Sequence, residues 1–172
     1  MKPFFLISFI MVIATSAFAQ DDAIKKYFNK YADDSRFTSV YISNRMFSMF
    51  TSDDKKGEDK DLQEVLNKLG GLRILSSDQA DGTKLYQDAH NLLVTSGFED
   101  LMVVKEKGKS EFKFMIREVN GKIRELLLLS GQNKNFFLLS LIGDIDLKKI
   151  SKLSKTLDVD GIENLDKLKD KQ

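Results

Sequence analysis

Apolar residues recur every three or four positions in several segments of the chain, which is the spacing of one face of a helix. These segments cover residues 24–31, 44–50, 62–69, 85–93, 147–157 and 162–168. Gly70 and Gly97 follow two of them, at the position where a glycine in the left-handed conformation ends many helices. Asp144 or Asp146 precedes another and is the expected N-cap. The pattern therefore predicts a series of short amphipathic helices.

Other segments are short and rich in β-branched and aromatic residues, or alternate apolar and polar residues, which predicts strands. They cover residues 37–42, 72–75, 101–104, 111–119, 123–129 and 136–142. Asn120-Gly121 is a strong hairpin signal, because both central residues of a type I′ turn need positive φ. A second turn is expected within residues 131–135. The last four strands should therefore form an antiparallel meander.

Helices before and after this meander predict an α+β fold. We expect about four meander strands plus one or two further strands, with the amphipathic helices packed mainly on one face. Residues 126–129 and 136–139 are apolar on both faces of their strands. Either both faces are covered, or one of them meets a partner. Residues 51–61 carry many charges and no large apolar side chain before the next helix, and they predict a solvated loop.

The N-terminus has the form of a secretory signal peptide. Lys2 precedes an apolar stretch of about 11 residues, and the small residues Ala17 and Ala19 stand three and one positions before Gln20. We expect cleavage between Ala19 and Gln20, which divides the chain into a signal peptide, residues 1–19, and one α+β domain, residues 20–172. The apolar stretch is shorter than the ~20 residues that span a bilayer. The protein is therefore predicted to be periplasmic or otherwise exported, without a stable membrane anchor.

Composition narrows the chemistry. The chain has no cysteine and one histidine, which removes disulfides, thiolate metal sites, cysteine nucleophiles and most histidine-based sites. We therefore expect no metal and no cofactor. Loss of residues 1–19 takes away Lys2, so that 26 basic side chains stand against 26 acidic ones. A neutral exported domain has no global field that attracts nucleic acid, and we expect none as a partner.

Two Ser-x-x-Lys tetrads, at residues 52–55 and 110–113, resemble the nucleophile motif of penicillin-recognising enzymes. Neither is accompanied by the other motifs of those enzymes, and lysine-rich chains produce such tetrads by chance. His90 is the only base available to a serine triad, but no nucleophile elbow occurs. Helical spacing places His90 near Tyr86 and away from the apolar stripe, so it is expected to be a partly exposed helix residue.

Acidic residues offer no better-defined site. Residues 158–161 read Asp-Val-Asp-Gly, but an EF-hand alignment on Gly161 puts Thr156 and Lys167 at ligand positions. Paired carboxylates for glycoside hydrolysis remain open, because the sequence does not single out a pair among its acidic residues. Phe136 and Phe137 imitate a base-stacking platform, and core packing is the better interpretation.

Three blocks in fixed order carry a resemblance to a known family. They are residues 37–43 (FTSVYIS), 72–77 (LRILSS) and 99–106 (EDLMVVKE), followed by the ending GDIDLKKISKL at residues 143–153. Together they resemble a secreted family of Bacteroidota catalogued as domain of unknown function 4252, over about residues 22–166. The resemblance implies a small exported domain and suggests a role in envelope signalling. It implies no catalytic residue, since that family has no assigned activity.

Two functions are therefore compared. The first is a non-enzymatic periplasmic binding or envelope-regulatory module, whose partner is another envelope protein. The alternative is a hydrolase of an envelope polymer, with a carboxylate pair assembled by the fold. A concave pocket with two acidic side chains roughly 5 to 10 Å apart, one with a raised pKa, would favour the hydrolase.

Overall fold

The computed structural model describes residues 17–51, 60–105 and 111–150, in which helices and strands follow one another as the sequence pattern predicts. In chain order the elements are α1 (Ala17–Ala32), β1 (Thr38–Ser43), α2 (Asn44–Thr51), α3 (Lys60–Lys68), β2 (Leu69–Ser77), α4 (Gly82–Thr95), β3 (Glu99–Val104), β4 (Phe112–Val119), β5 (Lys122–Gln132) and β6 (Asn135–Ile145). Residues 147–150 are helical.

The six strands form one sheet in the order β1-β2-β6-β5-β4-β3, and each neighbouring pair is antiparallel. The predicted meander is confirmed as β3 to β6. The two earlier strands extend it beyond β6, because β2 pairs along β6 and β1 pairs along β2. This arrangement is the predicted α+β fold, and it leaves β1 and β3 as the edges of the sheet.

The predicted hairpin at Asn120-Gly121 is confirmed. Asn120 has φ 55° and Gly121 has φ 72°, as a type I′ turn requires. The second turn is narrower than the predicted segment 131–135, because β5 continues through Gln132 and β6 begins at Asn135. Asn133, with φ 55°, takes the left-handed conformation there.

The two long helices pack on one face of the sheet. Alternate residues of β5 and β6, such as Leu127 and Leu138, meet Phe28 of α1 and Leu93 of α4 in one buried cluster. The Tyr27 hydroxyl on α1 donates a hydrogen bond of 3.2 Å to the Leu85 carbonyl on α4. This contact joins the two helices to each other as well as to the sheet.

The other face of the sheet has its own core. Phe114, Leu126 and Leu128 lie there, together with Val65 of α3 and Ile150 of the helical segment 147–150. Residues 126–129 of β5 are buried on both faces, whereas Phe137 and Leu139 of β6 are only partly buried on the second face. The described residues therefore cover the first face of these segments fully and the second face in part.

Two glycines that were expected to end helices have different roles. Gly97 ends α4 with φ 79°, and the Phe98 amide donates to the Leu93 carbonyl at 3.0 Å, as predicted. The prediction for Gly70 is wrong, because β2 begins directly at Leu69 and Gly70 lies inside the strand. From Leu69 onward the backbone pairs with β6, so it does not turn back to cap α3.

Several predictions lie outside the described residues: most of the signal peptide, most of the charged loop 51–61, and everything after residue 150. Among the residues that the structure does describe, no helix combines the length and apolar character needed to cross a bilayer.

Candidate binding surface

β1 is an edge strand without the usual protection. Its sequence, Thr-Ser-Val-Tyr-Ile-Ser, contains no charged residue and no proline, and its one partner among the described strands is β2. Edge strands of natural proteins commonly carry lysine, proline or a bulge that blocks pairing with another chain. An uncharged edge whose residues are mostly exposed is a template for such pairing.

The exposed large apolar side chains concentrate at this edge and in the helix that follows it. Four of the seven among the described residues lie there: Val40, Tyr41, Met46 and Met49, with exposed fractions of 38%, 64%, 45% and 60%. We call these four residues the β1–α2 surface. Phe47 of α2 is buried and anchors the helix, which packs against α3, β1 and β2. Flexible methionines are common on surfaces that bind partners.

A groove of about 370 Å³ lies between α1 and the β1–β2 pair. One wall is a stripe of α1, residues Lys25, Phe28, Asn29 and Ala32. Tyr41 and Arg73 are register partners in β1 and β2, and the guanidinium carbon lies 5.6 Å from the centre of the tyrosine ring. Two cations and no carboxylate occur among the described lining residues, so we name this site the Arg73 groove.

Two other grooves contain carboxylates that already form contacts. One, of about 470 Å³, contains Lys68 and Asp144. Lys68 pairs with Glu64, and Asp144 pairs with Lys122. The other, of about 310 Å³, contains Asp81, Lys84 and Asp88. Asp81 caps α4 by accepting from the Lys84 amide at 3.0 Å, and Asp88 pairs with the Lys84 ammonium at 2.9 Å. These carboxylates have structural partners.

Hydrogen bonds from basic side chains lower the pKa of three described carboxyl groups, Asp34, Glu64 and Asp144. Hydrogen bonds from Arg36 lower the pKa of Asp34 to about 2, and hydrogen bonds from Lys149 and Lys68 lower that of Glu64 to about 2. A hydrogen bond from Lys122 lowers the pKa of Asp144.

Burial would raise the pKa of Glu111, but hydrogen bonds from Lys105 and Tyr86 outweigh it, and that pKa is also lowered. A carboxyl group that acts as a general acid at neutral pH needs the opposite shift.

His90 belongs to a polar cluster between α4 and the β3–β4 pair. Its ring stacks on Tyr86 with an interplanar angle of 4°, and it is partly exposed as predicted. The Lys113 ammonium lies 2.9 Å from His90 Nε2 and 2.8 Å from Asp100 Oδ2. Lys113 thus has hydrogen-bond partners on both sides.

Glu125 is a buried carboxylate on the same face of the sheet as α1 and α4. Its register partner Arg117 donates at 3.2 Å, and Ser140 donates at 2.5 Å. The guanidinium and the carboxylate pair their opposite charges within the core. The arrangement joins β4, β5 and β6 and holds the middle of the sheet together.

The remaining sequence-predicted residues are placed as follows. Asp146, rather than Asp144, is the N-cap of the helical segment 147–150, since it accepts from the Lys148 and Lys149 amides at 2.9 and 3.2 Å. The first Ser-x-x-Lys tetrad, Ser110 of the second and residues 158–161 lie outside the described residues. Phe136 belongs to the core under α1 and α4, and Phe137 to the core of the other face.

Ala17, Ala19 and Gln20 fall in the first turns of α1, where the structure describes the backbone. Cleavage before Gln20 stays a prediction. No group of three or more metal-ligating side chains occurs within the described ranges.

Sequence reasoning missed the Arg73 groove and placed the apolar association surface on β5 and β6, which stays a prediction. The one available signal was the absence of charge from the segment that became β1. It was not sufficient, because a strand of this composition fits the centre of a sheet equally well. The pairing of Tyr41 with Arg73, and the approach of Lys25 on α1, appear only once the strand order is known.

Comparison with known proteins gives one family. The model of the family described as "Domain of unknown function (DUF4252)" matches residues 31–153, which is more than half of the chain and agrees with the resemblance seen in the sequence. No curated protein matches, and no solved structure matches.

Proposed function

Because the chain belongs to the DUF4252 family, whose description names no activity, we propose a function from its geometry: an exported, non-enzymatic module that binds another envelope protein. The binding site is the β1–α2 surface. Export follows from the predicted signal peptide, and the proposal places the protein in the periplasm or outside the cell.

The concentration of exposed apolar side chains at one edge carries this proposal. Scattered apolar side chains on a surface are ordinary, but a group beside an open strand edge marks a site of protein association. Tyr41 is an aromatic residue of the type that is enriched at interface hot spots. The β1–α2 surface therefore has the composition of a binding site.

The hydrolase alternative has less support from the described residues. Its carboxylate pair should lie in a groove, and one member should have a raised pKa. The groove carboxylates Asp81, Asp88 and Asp144 cap a helix or pair with lysine, and the pKa of Asp144 is lowered. Binding requires none of this chemistry.

Site-specific photo-cross-linking in the native host tests the binding function. A photoreactive amino acid replaces Tyr41 or Met49 in the full chain, and the matched control replaces Val94, which is 52% exposed on α4. We expect positions 41 and 49 to cross-link to one envelope protein and position 94 not to. Equal cross-linking at all three positions, or none at 41 and 49, would contradict the proposal.

Export is tested separately. Intact-mass measurement of the protein from the envelope fraction should show a chain that begins at Gln20. A mass that still includes residues 1–19 would contradict the cleavage, and recovery from the cytosol alone would contradict the location.

A further inference from the structure

We propose that β1 accepts an extended, acidic segment of the partner as an additional strand, and that Lys25 and Arg73 hold a carboxylate of this segment in the Arg73 groove. This inference rests on the proposed function and names how the partner binds. It makes two separable claims, one about the backbone of the segment and one about its charge.

The backbone claim follows from the state of the sheet edge. An edge strand presents a row of N–H and C=O groups that a neighbouring strand can pair with, and addition of a peptide strand is a common recognition mode. β1 has six residues without charge or proline, and four of them are exposed. A segment of about six residues can therefore extend the sheet along the whole length of β1.

The charge claim follows from the groove beside that edge. Residues two apart in a strand share a face, so Ser39 and Tyr41 lie on the face that carries α1. Arg73 lies opposite Tyr41 on this face, and Lys25 projects from the α1 stripe that forms the groove wall. A side chain of the added strand that points to this face meets two cations, an aromatic ring and the Asn29 amide. A carboxylate is the complementary group.

The same charges argue against a second copy of this chain as the occupant. Two copies that pair β1 with β1 about a twofold axis would carry both α1 helices on one face of a continuous sheet. Lys25 and Arg73 of each copy would then lie on either side of the junction between the two β1 strands. The described lining of the groove contains no carboxylate that could neutralise these positive charges. Like charges at close range disfavour that pairing, whereas an acidic partner is attracted.

Peptide selection tests both claims. A phage-displayed library of random 12-residue peptides is panned against the full chain recovered from the envelope fraction, and the affinity of an enriched peptide is then measured by calorimetry. We expect the enriched peptides to contain Asp or Glu within a β-forming sequence, and their binding to weaken with added salt.

Charge reversal of the groove, Lys25→Glu with Arg73→Glu, should weaken binding of the enriched peptide at least tenfold. The matched control makes the same change in net charge at two exposed positions elsewhere, Lys134→Glu with Lys148→Glu. We expect less than a twofold effect from the control. Circular dichroism and the unfolding midpoint show whether the reversed variant is folded. If that variant fails to fold, Lys25→Met alone provides the measurement.

Backbone N-methylation tests the added strand directly. Each amide of the enriched peptide is methylated in turn, which removes one hydrogen-bond donor at a time. Because alternate amides of an added strand point to β1, the loss of affinity should alternate with a period of two residues. A uniform effect, or none, would overturn the added strand.

Failure of this inference is distinguishable from failure of the proposed function. The binding function stands if positions 41 and 49 cross-link to an envelope protein. The inference is nevertheless overturned if the enriched peptides are neutral or basic, or if the two charge reversals have equal effects on peptide binding. A cross-link to a second copy of this chain would overturn both. The inference would also be overturned if no enriched peptide bound more weakly to the Tyr41→Lys variant than to the wild-type protein.

Discussion

At the residue scale, the contact between α4 and the β5–β6 turn requires two glycines. A Cβ on Gly131 would lie 2.3 Å from the Gly82 carbonyl oxygen and 2.6 Å from Tyr86 Cβ. A Cβ on Gly82 would lie 1.9 Å from the Asn135 carbonyl oxygen. The Gly82 amide also donates to the Asn133 carbonyl at 2.7 Å, so the first turn of α4 lies directly on the turn of the hairpin.

We predict that Gly131→Ala lowers the free energy of unfolding by about 1–3 kcal/mol, the usual cost of overpacking a close contact. Gly70→Ala is the matched control, because its added Cβ would meet Ile142 at 3.5 Å, an ordinary contact distance. Urea unfolding monitored by circular dichroism measures both variants. Equal stability of the two would show that the helix moves away from the hairpin at little cost.

The buried ion pair gives a second prediction at this scale. Glu125→Leu would leave the guanidinium of Arg117, whose side chain is 12% exposed, without its register partner in the core. Breaking one side of a buried pair costs about 3–5 kcal/mol, whereas replacing both sides costs much less. We therefore expect Arg117→Met to recover part of the stability that Glu125→Leu loses.

A double-mutant cycle in urea measures this coupling between Arg117 and Glu125. Ser140→Ala is an informative comparison, since it removes one donor to Glu125 and leaves the ion pair in place. Additive losses for the two pair substitutions would contradict the prediction, because they would mean that neither charge depends on the other.

Single residues were predictable from sequence where their signal is local. Asn120-Gly121 and Gly97 take positive φ because of the chain next to them, and each was identified from its neighbours. Gly82 and Gly131 must be glycines because α4 lies directly on the β5–β6 turn. They lie 49 positions apart in the chain, so no local pattern marks them. Arg117 and Glu125 likewise become partners only through the register of β4 with β5.

At the element scale, an ion pair fastens α3 to the helical segment 147–150. Glu64 on α3 pairs with Lys149 and also with Lys68, four residues further along the same helix. Its pKa falls from 4.5 to about 2 because both lysines donate to the carboxylate. A lowered folded-state pKa means that the contact stabilises the fold above about pH 4.5 and that this contribution is lost as the pH falls toward 2.

We predict that the difference in unfolding free energy between the wild-type protein and Lys149→Met is present at pH 7 and vanishes near pH 2. Titration of the Glu64 carboxyl carbon by NMR should show its midpoint near pH 2 in the wild type and closer to the ordinary value in the variant. An unchanged midpoint in Lys149→Met would show that Lys68 alone sets the pKa.

Helices were predicted more reliably than their ends. The apolar stripe of α1 and α4 is set by core packing, so the spacing of Ile24, Tyr27, Leu85 and Leu93 identified both helices. The end of α3 is set by the sheet instead. Gly143 has no side chain, which leaves room for the Lys68 carbonyl. Leu69 can therefore pair with Gly143, and β2 begins there, one residue before Gly70.

At the scale of the whole molecule, the strand order could not be read from the sequence. The meander follows from short turns, but β1 and β2 are separated by two helices, and nothing local determines that β2 pairs with β6. That choice places β1 at the edge and brings Arg73 beside Tyr41. The candidate surface is therefore a product of the topology, which explains why the sequence pattern did not point to it.

The same strand order predicts a gradient of protection from hydrogen exchange. β5 and β6 have a neighbour on each side and lie between the two cores, so their amides should exchange only when the whole molecule unfolds. β1 has β2 on one side, and its outward amides should exchange at least ~100-fold faster than those of β6. The enriched acidic peptide should slow every second amide of β1 and leave β3, the other edge strand, unchanged. Amides of β1 that are as slow as those of β6 in the isolated protein would show that the edge is already covered, and the site of strand addition would then have to be sought elsewhere.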